Sequence, residues 1–198
     1  DLSSGCRCSE KERKSMGIEI GILNWIQNLH TPAADAAMCF VTRLGDGGIL
    51  WILLTVLLFL IPKTRKSGII LAAALCVDLV LCNGVLKHLF CRIRPCDVNT
   101  AVQLLIPRPG DFSFPSGHTA ASFAAVAALY LSGERRLWKS ALVLAVFIAF
   151  SRLYLYVHYP TDILGGIAVG LLSGYMGYRM VKKVYELREK NIHMRRQI

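Results

Sequence analysis

The chain has 198 residues, with 23 Lys and Arg against 13 Asp and Glu, for a formal net charge of +10. Hydrophobic residues make up 54%, charged residues 18%, and the mean hydropathy is +0.46. A soluble domain carries about a quarter charged residues, so this composition excludes an ordinary soluble domain, and the length leaves room for one domain. The positive charge does not mark a nucleic-acid binder: Lys and Arg crowd between apolar blocks and at the ends, with no basic stripe interleaved with aromatics.

The apolar residues come in long blocks, at 49–61, 69–85, 120–131, 141–150 and 163–176. A helix needs roughly 20 mostly apolar residues to cross a bilayer. The pattern predicts an all-α integral membrane bundle of six transmembrane helices. It occupies residues 17–185, between charged tails at 1–16 and 186–198.

The N-terminal tail holds Cys6 and Cys8, a lone C-x-C that falls short of a four-ligand zinc site. No cleavable signal-peptide pattern is read there. The first helix is expected from about Gly17 to Leu44, broken or bent at Thr31-Pro32, because proline removes a donor and disfavours helix in the residue before it. The part before Thr31, with Trp25, Gln27 and Asn28, also suits an interfacial position. The second helix is expected from Gly48 to Ile61, the third from Ser67 to Leu89, and the fourth from Ser116 to Ser132. The fifth runs from Leu137 to Tyr156 and the sixth from Thr161 to Val181. Gly166, Gly170 and Gly174 recur at four-residue spacing in the sixth, a smooth stripe for close helix packing. Asp78 sits mid-span, where a bare charge is expensive. Cys39, Cys76 and Cys82 lie in apolar runs as packing residues.

Six spans put both tails, the Lys63–Lys66 loop and the Arg135–Lys139 loop on one side. Those segments hold 17 of the 23 Lys and Arg, which makes that side cytoplasmic. The opposite, outer side receives three polar clusters: Lys87 with Arg94-Pro95, Pro115-Ser116-Gly117-His118, and Ser151-Arg152 with His158 and Asp162. Cys91 and Cys96 flank the Arg94-Pro95 turn and can form a disulfide if that turn faces an oxidising compartment.

Each cluster has a chemical reading. Lys87 and Arg94, seven residues apart, project from one face of a helix that Pro95 ends. Ser116 serves as N-cap of a helix whose free N–H groups and positive dipole end suit an anion, and Gly117 lets a phosphate approach the backbone. His118 is placed to donate a proton to a leaving oxygen. Asp162, accepting the far N–H of His158, fixes the imidazole tautomer for nucleophilic use, and Arg152 stabilises charge on the transferring group. His88 points roughly 100° away from Lys87 and is a bystander. His30 and His193 have no nameable partners, and Asp46 and Arg108 qualify only by lying on the outer side.

Together the clusters match K-x6-RP, PSGH and SR-x5-H-x3-D at every defined position, over residues 87–162. That signature resembles the type-2 phosphatidic acid phosphatase superfamily, in its membrane-integral lipid phosphatase branch. The resemblance implies that His158 is a nucleophile forming a phosphohistidine, with Asp162 as its orienting partner. It implies that His118 is first a general acid and then the base that activates water. Lys87, Arg94, Ser116, Gly117 and Arg152 become the phosphate cradle. No metal or other cofactor is expected, since three cations supply the charge stabilisation and no acidic cluster is present.

The function implied is hydrolysis of a lipid (di)phosphate at the outer face of a bacterial inner membrane. Undecaprenyl diphosphate leads by family analogy, followed by phosphatidic acid and phosphatidylglycerol phosphate. The partners expected are the lipid phosphate and the surrounding lipids, with no nucleic acid. Vanadium haloperoxidases share the pocket type but are soluble, which the apolar spans oppose. A protein that merely binds or moves lipids would need the cations as a headgroup clamp, but not two histidines.

Overall fold

The computed structural model describes residues 10–195. Cys6 and Cys8 lie outside them, as does the side chain of His193. No strand occurs among the described residues, so the all-α expectation holds.

Helix α1 (Glu10–Gln27) and helix α2 (Pro32–Gly45) are separate elements. Pro32 opens α2, where a missing N–H costs nothing, and Thr31 caps it by accepting a 3.3 Å bond from the Ala34 amide. The break at Thr31-Pro32 is complete. It lays α1 against the end of α8 (Leu137–Tyr154) and the loop beyond it. Gln27 donates to the Tyr154 carbonyl at 3.0 Å, and the Tyr156 hydroxyl donates to Asn24 Oδ1 at 2.8 Å.

Gly47 and Gly48, at φ +58° and +68°, turn the chain from α2 into α3 (Ile49–Leu60); a side chain there would strain the turn. Next comes one helical rod. Helix α4 (Arg65–Asp78) passes into a π-helical segment (Leu79–Leu86) and then α5 (Lys87–Phe90). A π segment bonds i to i+5, so it turns the side chains of α5 to a different heading from the one an unbroken α-helix would give them. The rod ends at Cys91, at φ +46°. A short α6 (Pro95–Val98) and a loop lead to α7 (Gly117–Leu131). Helix α9 (Pro160–Arg195) is continuous well past Val181.

Helix α7 is the hub, packed against α9, α4 and α8. Its small residues permit this: Ala120, Ala124, Ala125 and Ala128 are fully buried. The α9 glycine stripe meets them. A Cβ at Gly170 would stand 2.9 Å from the Ala124 amide nitrogen and closer still to the Ala120 carbonyl. Leu71, Leu129, Ile148 and Trp51 fill the rest of the main core, and Trp51 donates to Ser122 Oγ at 3.1 Å.

The surface departs from the usual partition of a soluble protein, although the core is apolar. Ile52, Leu53, Leu57, Leu60, Leu79, Leu164 and Leu172 are exposed, while Lys87, Arg94, Arg152 and Asp162 are buried. By length and composition, Pro32–Leu60, Arg65–Val98 and Leu137–Tyr154 qualify as membrane-crossing stretches, and Gly117–Leu131 is a shorter apolar helix. Cys91, exposed, and Cys96, buried, are both free thiols.

Candidate active site

Three chain segments meet at one end of the bundle: the close of the α4–α5 rod, the start of α7, and the α8–α9 loop. Lys87 is 6% exposed and bonds the carboxylate of Asp111. Arg94 is 2% exposed and reaches the same residue, with Nη2 2.6 Å from Asp111 Oδ1 and Nε 2.8 Å from the Asp111 carbonyl. The helix stops at Phe90, before Arg94. The two cations therefore meet by gripping a common carboxylate, and not by sharing a helix face as their spacing suggests.

Arg94 also fixes the third cluster. Its Nη1 donates to the Val157 carbonyl at 2.7 Å and lies 3.1 Å from His158 Nε2. The His158 loop is constrained throughout: Tyr156, fully buried, is held at φ +60°, which is uncommon for a residue with a side chain. Burial pushes the His158 imidazole down to about 3; Arg94 and Arg152 add to that, and Asp162 opposes it. Burial thus favours the uncharged ring, whose Nε2 faces the Arg94 guanidinium.

Asp162 has no exposed surface. Its Oδ2 accepts from Ser113 Oγ at 2.5 Å and from the Tyr159 amide at 2.8 Å, and stands 3.4 Å from His158 Nδ1. That last separation is a charge contact longer than a good hydrogen bond, and Nδ1 has no other partner among the described residues. Asp162 Oδ1 accepts from Arg92 at 2.6 Å.

The second cluster is stitched to the third by the backbone. The Ser116 amide donates to the Asp162 carbonyl at 3.1 Å. Ser116 caps α7 as its position predicts, its Oγ accepting from the Thr119 amide at 3.5 Å and from the Thr119 hydroxyl at 3.0 Å. A Cβ at Gly117 would sit 3.2 Å from Asn83 Oδ1 and 3.5 Å from Lys87 Nζ, so the bare backbone closes the wall beside the lysine. His118 Nε2 is 2.8 Å from Asp46 Oδ1. A Cβ at Gly45 would press to 2.7 Å from the His118 ring. Arg152, 3% exposed, donates to Thr42 Oγ1 at 2.5 Å.

A cavity of about 510 Å³ extends from Lys87, Gly117 and His118 between α3 and α4, lined by Ile52, Val56, Leu75 and Leu79. Asp78 lies on its wall, 3% exposed, with an Oδ1 that has no hydrogen-bond partner among the described residues. No cluster of His, Cys, Asp and Glu able to hold a metal ion occurs among the described residues.

All eight residues singled out by the motifs thus lie at this one end. Sequence reasoning misses their partners. Asp46 qualifies there only by its side, and Arg92, Glu19 and Asp111 not at all as site residues. Asp111 is half-exposed. Partial burial works against its ionisation, yet Lys87 and Arg94 hold its carboxyl well below the usual carboxylate range.

Residues 67–186 match the PAP2 superfamily. The undecaprenyl-diphosphatase of Sulfolobus acidocaldarius is 27% identical over 179 residues, covering 88% of this chain and 86% of that one. Phosphatidylglycerophosphatase B of Bacillus subtilis is 31% identical over 175 residues, covering 82% of each. The crystal structure of Aquifex aeolicus LpxE superimposes with a TM-score of 0.70 at 28% identity, covering 81% of this chain and 94% of that one. The chain belongs to the PAP2 superfamily. It is an enzyme of the phosphatase kind, a hydrolase of phosphoric esters and anhydrides.

Proposed function

We propose that the chain is an integral membrane lipid phosphatase that removes phosphate from a lipid (di)phosphate at the outer face, through a phosphohistidine on His158. One observation carries this reading: the Nε2 of a buried His158 lies 3.1 Å from Arg94, whose guanidinium shares an anion with Lys87. An anion held between those cations is beside a nucleophile.

The chemistry then balances in two displacements. In the first, the His158 Nε2 lone pair forms a bond to phosphorus as the bond to the leaving oxygen breaks, and His118 gives that oxygen its proton. Asp162 offsets the positive charge that develops on the imidazole. Lys87, Arg94 and Arg152 stabilise the equatorial oxygens, with the Gly117 backbone beside them. In the second, His118 takes a proton from water, the oxygen attacks phosphorus, and the P–N bond breaks to release phosphate.

The apolar exterior supports insertion in a bilayer, and the cavity between α3 and α4 supports a substrate whose tail lies in hydrocarbon. Undecaprenyl diphosphate is the leading substrate, from likeness to the Sulfolobus enzyme. Phosphatidylglycerol phosphate is the second reading, favoured by likeness to the Bacillus enzyme. Phosphatidic acid is the third. Charge distribution favours both termini in the cytoplasm and the site outside, and likeness to the Bacillus enzyme favours a bacterial inner membrane.

Phosphate release from a panel of purified diphosphate and monophosphate lipids, in detergent with a chelator, tests the reading. Turnover persists with the chelator, vanadate inhibits it, and His158→Ala abolishes it in a folded protein. Full turnover by His158→Ala sinks the mechanism.

A further inference from the structure

The two oxygens of Asp162 keep different company. Oδ2 faces the His158 loop, while Oδ1 faces Arg92, whose Nη1 donates to it at 2.6 Å. The second terminal nitrogen of Arg92 bonds Glu19 Oε2, across 73 residues of sequence. The Arg92 guanidinium lies 4.0 Å over the Tyr159 ring, and its Nη1 also donates to Thr161 Oγ1 at 2.6 Å. Glu19 is 5% exposed, and its Oε1 accepts from the Thr161 amide at 3.0 Å and from the Thr161 hydroxyl at 2.5 Å.

The result is a row of alternating charge: Glu19, Arg92, Asp162, and then the imidazole that turns cationic during the reaction. A buried carboxylate is costly unless it is paired and hydrogen-bonded. Glu19 meets that condition only because α1 brings it to Arg92 and to Thr161 in the first turn of α9. Helix α1 falls outside the family match at 67–186, so this acid is supplied from beyond it.

We infer that Glu19 and Arg92 are positioning residues for the Asp162–His158 pair. Arg92 locks Asp162 Oδ1 in place, and Glu19 neutralises Arg92 so that Asp162 keeps its full charge for the imidazole. The inference rests on the phosphohistidine reading. The charged groups facing this row are few. Arg94 and Arg152 act on His158, Arg92 acts on Asp162, and Glu19 and Asp162 act on Arg92. An Arg92 stripped of Glu19 spends its charge on Asp162, and the nucleophile loses support. The cradle of Lys87, Arg94 and Arg152 is untouched, so substrate binding is spared.

The test measures kcat, KM and the single-turnover rate of acid-labile phosphoenzyme formation in full-length protein, on one ³²P-labelled lipid phosphate. Melting temperature is recorded alongside. Glu19→Gln lowers kcat and phosphoenzyme formation about 10-fold, the low end of the cost of losing outer partners of metal-bound ligands, while KM stays within about twofold. Arg92→Lys keeps the charge but reaches only one partner, and reproduces that loss. Joining Glu19→Gln to Arg92→Gln gives a protein about as slow as the slower single variant and not slower, because both residues act through the one Arg92–Asp162 contact. Additive losses, a loss confined to KM, or wild-type rates in Arg92→Lys overturn the inference. A wild type that never becomes labelled strikes down the phosphohistidine reading itself, and the inference with it. A labelled wild type with indifferent variants strikes down the inference alone.

Discussion

The Asp111 carboxylate bonds the Lys87 ammonium with one oxygen, and its other oxygen accepts a 2.6 Å bond from Arg94. A protein carboxylate thus occupies the anion position between two cations of the proposed cradle. Any phosphate that docks there competes with it. Asp111→Asn removes the competing charge, so KM falls several-fold and inorganic phosphate and vanadate become stronger inhibitors. Inhibition constants at fixed pH check this; unchanged constants mean that Asp111 is not in the path of the anion.

His118 matters in proportion to how poor the leaving group is. An alkoxide departing from a monophosphate lipid needs its proton, whereas a phosphate departing from a diphosphate is already stable as an anion. His118→Ala costs roughly 10²–10⁴-fold in kcat on a monophosphate lipid, the usual worth of a general acid, and markedly less on a diphosphate. Parallel kcat measurements on the two lipid types read the difference.

Protonation of His158 links stability to pH. Its folded value is pushed down to about 3 by burial, with Arg94 and Arg152 adding to the effect, whereas an unfolded histidine titrates near about 6.5. Between those values the unfolded chain binds more protons, so this residue's contribution is full above the unfolded value and is lost as pH falls toward the folded one. The melting temperature of purified protein falls as the pH is lowered from about 6.5 to about 4, and the fall is shallower in His158→Asn. Equal slopes in the two proteins would place the acid lability elsewhere.

The α7–α9 seam tolerates no added atoms. Gly170→Ala drives a methyl into the Ala120 carbonyl and the Ala124 amide and destabilises by about 1–3 kcal/mol, as overpacking does. Gly84→Ala, whose added methyl would meet the Leu79 carbonyl at an ordinary 3.8 Å, is the matched control with little steric cost. Thermal unfolding in one detergent compares them.

Motif spacing locates every residue of the cradle, because those residues carry their chemistry in local patterns. Their partners are not legible in the same way. Glu19 meets Arg92, Asp46 meets His118, and Asp111 meets Lys87 only through the folding of distant segments. Faint signals exist in hindsight. Glu19 is a lone acid inside Ile18-Glu19-Ile20-Gly21-Ile22-Leu23, and Asp111 is the one acid between Arg108 and Ser116. Proline chemistry at Thr31-Pro32 foretells the break between α1 and α2, but not that α1 comes to rest against the His158 loop. The π segment is hidden too, since Leu79–Leu86 reads as ordinary apolar helix until its hydrogen bonds are seen.

The greasy cleft between α3 and α4, with the proposed phosphate cradle at its end, would turn the search for a bilayer-borne substrate into a two-dimensional problem. A molecule that never leaves the bilayer meets the enzyme by lateral diffusion, so the controlling variable is its mole fraction among neighbouring lipids, not its amount per volume of buffer. Diluting the substrate with inert lipid should slow the enzyme even when bulk concentration is held constant.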